Sequence, residues 1–189
     1  TARRGSWSPV DHDAAPVAGA LGADLFLVPV RDAEGGTSLR AYDRDEVDLT
    51  PIVSLDVTRP LARVVVAGAG TEVASGRTAT ESVDAALAAG AALLASEQLG
   101  LTRWSLEATV DYTKNRVQFA RPIGSFQAIK HRLADLYLLL VNAQAAARYA
   151  AATLAEDDPD QYVAQALAQS FCSDAAVRAT EEALQLHGG

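Results

Sequence analysis

After Gly76, Pro and Gly almost vanish and Ala and Leu take over, a composition suited to long helices and to little else. Leu87, Leu94 and Leu101 recur every seven positions, the spacing of one helix face, and predict a core stripe on a helix from about Ser82 to Gln118. Ser125 stands just past Pro122 and Gly124 as a good N-cap for a second helix to about Leu154, with Ile129, Leu133, Leu136 and Leu140 on one side. Asp158 before Pro159 has the N-cap then N1 arrangement and predicts a third helix running to about His187, where the Gly pair stops it. Three such helices bury their apolar faces only by packing into a bundle. The Ala-rich tract from Ala143 to Ala155 is helix-forming sequence, not a linker.

Residues 1 to 75 carry most of the Pro, with Gly and Asp punctuating short β-favouring runs. Strands are expected at Asp24–Arg31, Ser38–Tyr42, Val47–Val53 and Leu61–Ala67, antiparallel, with Glu34-Gly35-Gly36 as a hairpin connection. The fold class is therefore α+β: a small antiparallel β domain over residues 1–75, then an up-down helical bundle over 76–189.

The chain of 189 residues is 49% apolar, enough to bury a core of one domain or two small ones. Lys plus Arg number 16 against 24 acids, a net charge of −8, which disfavours nucleic acid and anionic membranes as partners. The lone Cys172 excludes an internal disulfide and a multi-cysteine zinc site, and its apolar helical setting makes it a small core residue. No basic-then-apolar leader and no run of about 18 uncharged apolar residues is present, so a soluble, cytoplasmic protein is expected. Thr1 in place of an initiator Met, and an end on Gly188-Gly189, read as the ends of a fragment.

Chemistry concentrates at the junction of the first two helices. Arg116 and Phe119 fall one turn apart near the expected helix end, with Gln118 and Arg121 alongside, and could present a guanidinium to a diphosphate. An Arg at a helix C-terminus also complements the helix dipole, and the spacing alone does not separate the two. The start of the next helix adds free backbone N–H groups and a positive dipole end, which favour an anion.

The stretch Tyr112-x-x-x-Arg116-x-Gln118-Phe119-Ala120-Arg121-Pro122-Ile123-Gly124-Ser125-Phe126-Gln127-x-x-x-His131-x-x-Ala134-Asp135 resembles the flavin-binding helix–loop–helix of acyl-CoA dehydrogenases, whose pattern is Arg-x-x-Phe-Gly-x-x-Ile-x-x-x-Gln. Ala183-Leu184-Gln185-Leu186-His187-Gly188-Gly189 is similar to the family's Gln-x-x-Gly-Gly segment. Residues 1–75 match more loosely, through Ala23–Val28 and Leu55-Asp56-x-Thr58-Arg59, which resemble the middle β domain and the link into the helical domain. The resemblance thus covers nearly the whole chain in pieces, as part of the middle β domain plus a truncated carboxy-terminal bundle.

The resemblance implies FAD as cofactor, held across a subunit interface. Arg116, Gln118 and Phe119 would serve the diphosphate region, Phe126 and Gln127 the ribose and adenine side, and Gln185, Gly188 and Gly189 the last turn. It implies α,β-dehydrogenation of an acyl-CoA thioester, an electron-transfer flavoprotein as the next carrier, and a homo- or hetero-oligomer, dimer or tetramer. Three departures stand against full equivalence. Pro16-Val17-Ala18 replaces the aromatic-x-Thr of the flavin-ring contact, and Ala120 replaces the Gly after Phe119, a change that a helical backbone there would tolerate. The family's catalytic Glu lies at one of two positions: no Glu stands at the first, where alignment back from Tyr112 leads to Gly90 with Ala88 and Ala91 around it, and the second lies beyond the Gly-Gly segment, past the end of this sequence. The catalytic residue is thus unassigned.

Glu97 and Glu107 on the first helix are expected to be solvated surface carboxylates. The absent base and flavin-ring contact support an alternative: a non-catalytic partner subunit that completes the FAD site of a homologue. A helical scaffold without flavin is the third reading. His12, His131 and His187 are scattered, Asp11-His12-Asp13 reads as a solvated loop, and no metal site is expected. No Gly-x-Ser-x-Gly elbow, Walker loop or Gly-x-Gly-x-x-Gly fingerprint occurs, and Gly68-Ala69-Gly70 lacks the rest of the dinucleotide pattern.

Overall fold

The computed structural model describes residues 8–11, 13–32 and 34–188. The described residues divide into two compact units, one up to residue 85 and one from residue 86 onward.

The first unit holds β1 (Asp13–Ala18), β2 (Leu25–Arg31), β3 (Thr37–Asp43), β4 (Val47–Ile52), β5 (Leu61–Val66) and β6 (Thr71–Ser75). They form two three-stranded antiparallel sheets, one in the order β1-β5-β4 and the other β2-β3-β6. Phe26 and Tyr42 of one sheet pack with Val47, Ala62, Val64 and Val66 of the other in a single core. The four expected strands lie within a residue or two of their predicted ends, whereas β1 and β6 were not expected. Pro16 in β1 and the Gly70 turn before β6 obscured their alternation. The connection at Glu34–Gly36 is organised by Asp32, whose carboxylate accepts the amides of Glu34 at 3.0 Å and Gly36 at 2.6 Å, the local bonding that makes Asp a turn residue.

The second unit is built on α1 (Gly76–Asn115, which enters it from the first), a hairpin of β7 (Val117–Gln118) and β8 (Arg121–Pro122), α2 (Gln127–Ala155) and α3 (Gln161–His187). Its core is lined by alanines: Ala92 and Ala95 of α1 meet Ala143, Ala147 and Ala150 of α2 and Ala164, Ala168 and Cys172 of α3. Small side chains let helix axes approach closely. Below this layer Leu106, Leu136, Leu140 and Ala179 form a second cluster.

Four details differ from the sequence expectation. The Leu stripe of α1 is not core: Leu87, Leu94 and Leu101 are 53%, 37% and 44% exposed. The buried face carries Ala92, Ala95, Thr102, Ser105, Thr109 and Thr113, small side chains whose Thr hydroxyls turn back onto their own helix, as Thr109 does onto the Ser105 carbonyl at 2.6 Å. Helix α1 ends at Asn115 instead of Gln118, since Phe119 and Ala120 take positive φ. Ser125 is not the N-cap of α2: its hydroxyl donates to the Pro122 carbonyl at 2.7 Å, and Phe126 occupies the cap. Asp158 likewise precedes the cap of α3, which is Asp160, whose amide donates to the Asp158 carboxylate at 2.8 Å. Length and composition alone would let α1 cross a bilayer, a candidate that the sequence criterion of an uncharged run passed over. Of its apolar stretch 17% is buried within the structure, while Ala92 and Ala95 pack in the helical unit.

Candidate functional site

The Arg116–Gln127 segment is a tight hairpin, not a helix end. Gln118 pairs with Arg121 and Val117 with Pro122, leaving Phe119 (φ 53°) and Ala120 (φ 62°) as the two turn residues. Positive φ at both central positions is the type I′ geometry that matches strand twist. Ala120 therefore sits in the left-handed region and not in a right-handed helix, so the tolerance expected for this replacement does not apply, and the missing Gly leaves steric strain at the tip.

Two contacts fasten the hairpin base. The Ile123 amide donates to the Arg116 carbonyl at 2.8 Å. Gly124 lies so close to α1 that a Cβ there would be 3.0 Å from the Thr113 carbonyl oxygen, which explains a glycine at a position needing no unusual φ.

The hairpin gathers aromatic and cationic groups at the N-terminus of α2. Phe119 and Phe126 meet edge to face with ring centroids 6.1 Å apart, and the Arg121 guanidinium lies 3.9 Å from the Phe126 ring centroid, a cation–π arrangement. Phe119 is 87% exposed. The Arg116 side chain is exposed too, and among the described residues its guanidinium has no hydrogen-bond or ion-pair partner. Gln118 is exposed on β7, and Gln127 is exposed as the first residue of α2, where unpaired backbone N–H groups and the helix dipole favour an anion. Two guanidinium groups, an open aromatic face and a helix N-terminus thus coincide in a chain that is acidic overall.

The last turn of α3 joins this region through a contact that the sequence did not reveal. Tyr112, one turn before Arg116, stacks on His187 with centroids 4.2 Å apart and planes at 29°. Its hydroxyl donates to the His187 carbonyl at 3.3 Å. Gly188 follows in the left-handed region (φ 110°), its amide donating to the Gln185 carbonyl at 3.2 Å, and Gln185 is exposed. Gly189 lies outside the described residues. The adjacency of His187 to the Gly pair was the available signal, but nothing in the spacing pointed 75 residues back to Tyr112.

Gly90 is exposed on α1, and a Cβ there would meet nothing within 4 Å, so packing within the chain does not forbid a side chain. Glu97 and Glu107 are exposed on the same helix. Among the described residues no cluster of three or more His, Cys, Asp or Glu could hold a metal; Asp13 is held by Arg63, Asp11 by Arg31, and His12 lies outside the described residues. In the β unit, an apolar cavity of about 380 Å³ is lined by Val17, Ala18, Phe26 and Val64, with Asp13 at its edge.

Comparison with known proteins shows the family of this chain. Residues 80–189 match the acyl-CoA dehydrogenase C-terminal domain. The chain is 42% identical over 168 residues to the acyl-CoA dehydrogenase IpdE2 of Mycolicibacterium smegmatis, covering 88% of this chain and 47% of that protein. It superposes on butyryl-CoA dehydrogenase from Megasphaera elsdenii with a TM-score of 0.83 at 25% identity, over 96% of this chain and 50% of that one. On the ChsE4–ChsE5 complex from Mycobacterium tuberculosis the TM-score is 0.82 at 26% identity, over 98% and 53%. The chain spans less than half the length of the curated relatives it matches. It belongs to the acyl-CoA dehydrogenase family, FAD-dependent flavoprotein oxidoreductases of lipid metabolism.

Proposed function

We propose that this chain contributes one wall of an FAD site in an oxidoreductase that introduces an α,β double bond into an acyl-CoA thioester. The observation that carries the reading is the open cluster of Arg116, Phe119 and Arg121 at the N-terminus of α2. Its donor set fits the cofactor: the guanidinium groups and the α2 N-terminus suit a diphosphate, with the exposed Phe119 ring beside them. Gln118 joins the diphosphate side, Phe126 and Gln127 the ribose and adenine side, and Gln185 with the Gly188–Gly189 turn completes the set. When bound, FAD supplies the acceptor for the hydride that leaves the acyl β-carbon. The residues named here bind and orient; Gly90, at one of the family's two base positions, carries no carboxylate to take the α-proton.

The site faces outward from the helical unit, which supports an oligomer in which the cofactor is shared between subunits. An electron-transfer flavoprotein is the proposed electron acceptor and the cytoplasm the proposed location. Residues 1–75 are proposed to be part of the middle β domain and residues 76–189 the helical domain.

A second reading is favoured by Gly90 and by Pro16-Val17-Ala18: a non-catalytic subunit that completes the FAD site of a different, active chain. The ChsE4–ChsE5 complex, formed by two different chains, supports it. Visible absorption of the protein purified alone, and with its co-expressed dehydrogenase-like neighbour, separates the two: flavin colour alone supports the self-sufficient enzyme, colour only in the pair the partner subunit. Arg116→Ala is expected to release FAD with helix content unchanged. Full flavin content in that variant removes the cofactor assignment.

A further inference from the structure

We propose that Tyr112 and His187 are positioning residues that fasten the last turn of α3 to the last turn of α1, so that Gln185 and Gly188 address the same ligand as Arg116 and Phe119. This rests on the FAD reading above. Helix C-termini fray because their last carbonyls have no partner within the helix, and both segments assigned to the cofactor lie at such ends. Three contacts hold them together. The rings stack at 4.2 Å. The Tyr112 hydroxyl donates to the otherwise orphaned His187 carbonyl at 3.3 Å. The His187 ring nitrogen Nδ1 lies 2.7 Å from the Ala183 carbonyl and, as its N–H donor, fixes the ring against the helix.

Tyr112 also reaches the other way. Its carbonyl accepts the Arg116 amide at 2.9 Å, so the residue that grips His187 also closes the last turn before the hairpin. The chain from Gly188 to Arg116 thus passes through two side chains. Tyr112 is half-buried and His187 exposed, and neither ring belongs to the buried core of the unit. Holding recognition groups in place before binding spares the ordering cost that binding otherwise carries.

The test is FAD affinity, by titration of the deflavinated protein in its native oligomer, with any partner chain present, set beside thermal stability of the apoprotein. Tyr112→Ala and His187→Leu, which each abolish the stack, are expected to weaken FAD roughly 3- to 10-fold with an unchanged Tm. The double variant is expected to be no weaker than the worse single one, as for a coupled pair, and Tyr112→Phe, which keeps the stack, is expected to recover most of the affinity. Arg116→Ala is the reference. If Arg116→Ala loses FAD while the Tyr112 and His187 variants bind normally, the positioning role is overturned and the FAD reading stands. Affinity losses that follow a lowered apoprotein Tm, or that add in the double variant, also overturn it. Should Arg116→Ala bind FAD normally, the FAD reading falls and the positioning role with it.

Discussion

Gly124 rests against the backbone of Thr113, with space for a hydrogen but not for a methyl: a Cβ would stand 3.0 Å from the Thr113 carbonyl oxygen and 3.3 Å from its hydroxyl. Thr113 belongs to the last turn of α1, so a side chain at residue 124 must displace either that turn or the loop. Gly124→Ala is expected to cost about 1–3 kcal/mol, as overpacking does, and to weaken FAD binding by lifting the hairpin from the helix. Urea denaturation and flavin titration of that variant measure both.

Ala120 holds φ at 62° where the family pattern has Gly. Removing its Cβ relieves left-handed strain but frees the unfolded chain. The two oppose each other, and strain relief is the larger where φ is positive. Ala120→Gly is expected to gain about 0.5–1 kcal/mol, read as a higher urea midpoint with an unchanged slope.

Cys172 is fully buried, and burial raises its thiol above the ordinary value, so the reactive thiolate is scarce at neutral pH. Iodoacetamide is expected to leave the native protein unlabelled and to modify Cys172 in urea. Rapid labelling without denaturant would contradict the packing of α3 on α2.

Asp13 of β1 is bound by the Arg63 guanidinium of β5, and that hydrogen bond holds its carboxyl below the ordinary range. A carboxyl with a lowered folded value contributes stability above its unfolded value, near pH 4. That contribution is lost as pH falls through the folded value. Asp13→Asn is therefore expected to lower stability slightly at pH 7 and to flatten the acid limb below about pH 4. Denaturant midpoints measured from pH 7 to pH 2 test the sign.

Much of this was legible from composition and local chemistry. The loss of Gly and Pro after Gly76 determines a helical second part, because no other element uses such residues well, and Glu34-Gly35-Gly36 marks the β2–β3 turn. Arg116, Phe119, Phe126 and Gln127 could be singled out because their stretch resembles the acyl-CoA dehydrogenase pattern; spacing alone left Arg116 open to a helix-dipole role. The tertiary structure decided three things that near-neighbour rules do not reach. It put the Ala and Thr face of α1 inward and left the Leu stripe outward, since a seven-residue period marks a face without saying which neighbour covers it. It turned the expected end of α1 into a strained hairpin, because the Ile123–Arg116 bond and the fit of Gly124 on Thr113 outweigh the right-handed preference of Phe119 and Ala120. And it brought Tyr112 onto His187 across 75 residues, a contact that exists only once α1 and α3 have packed.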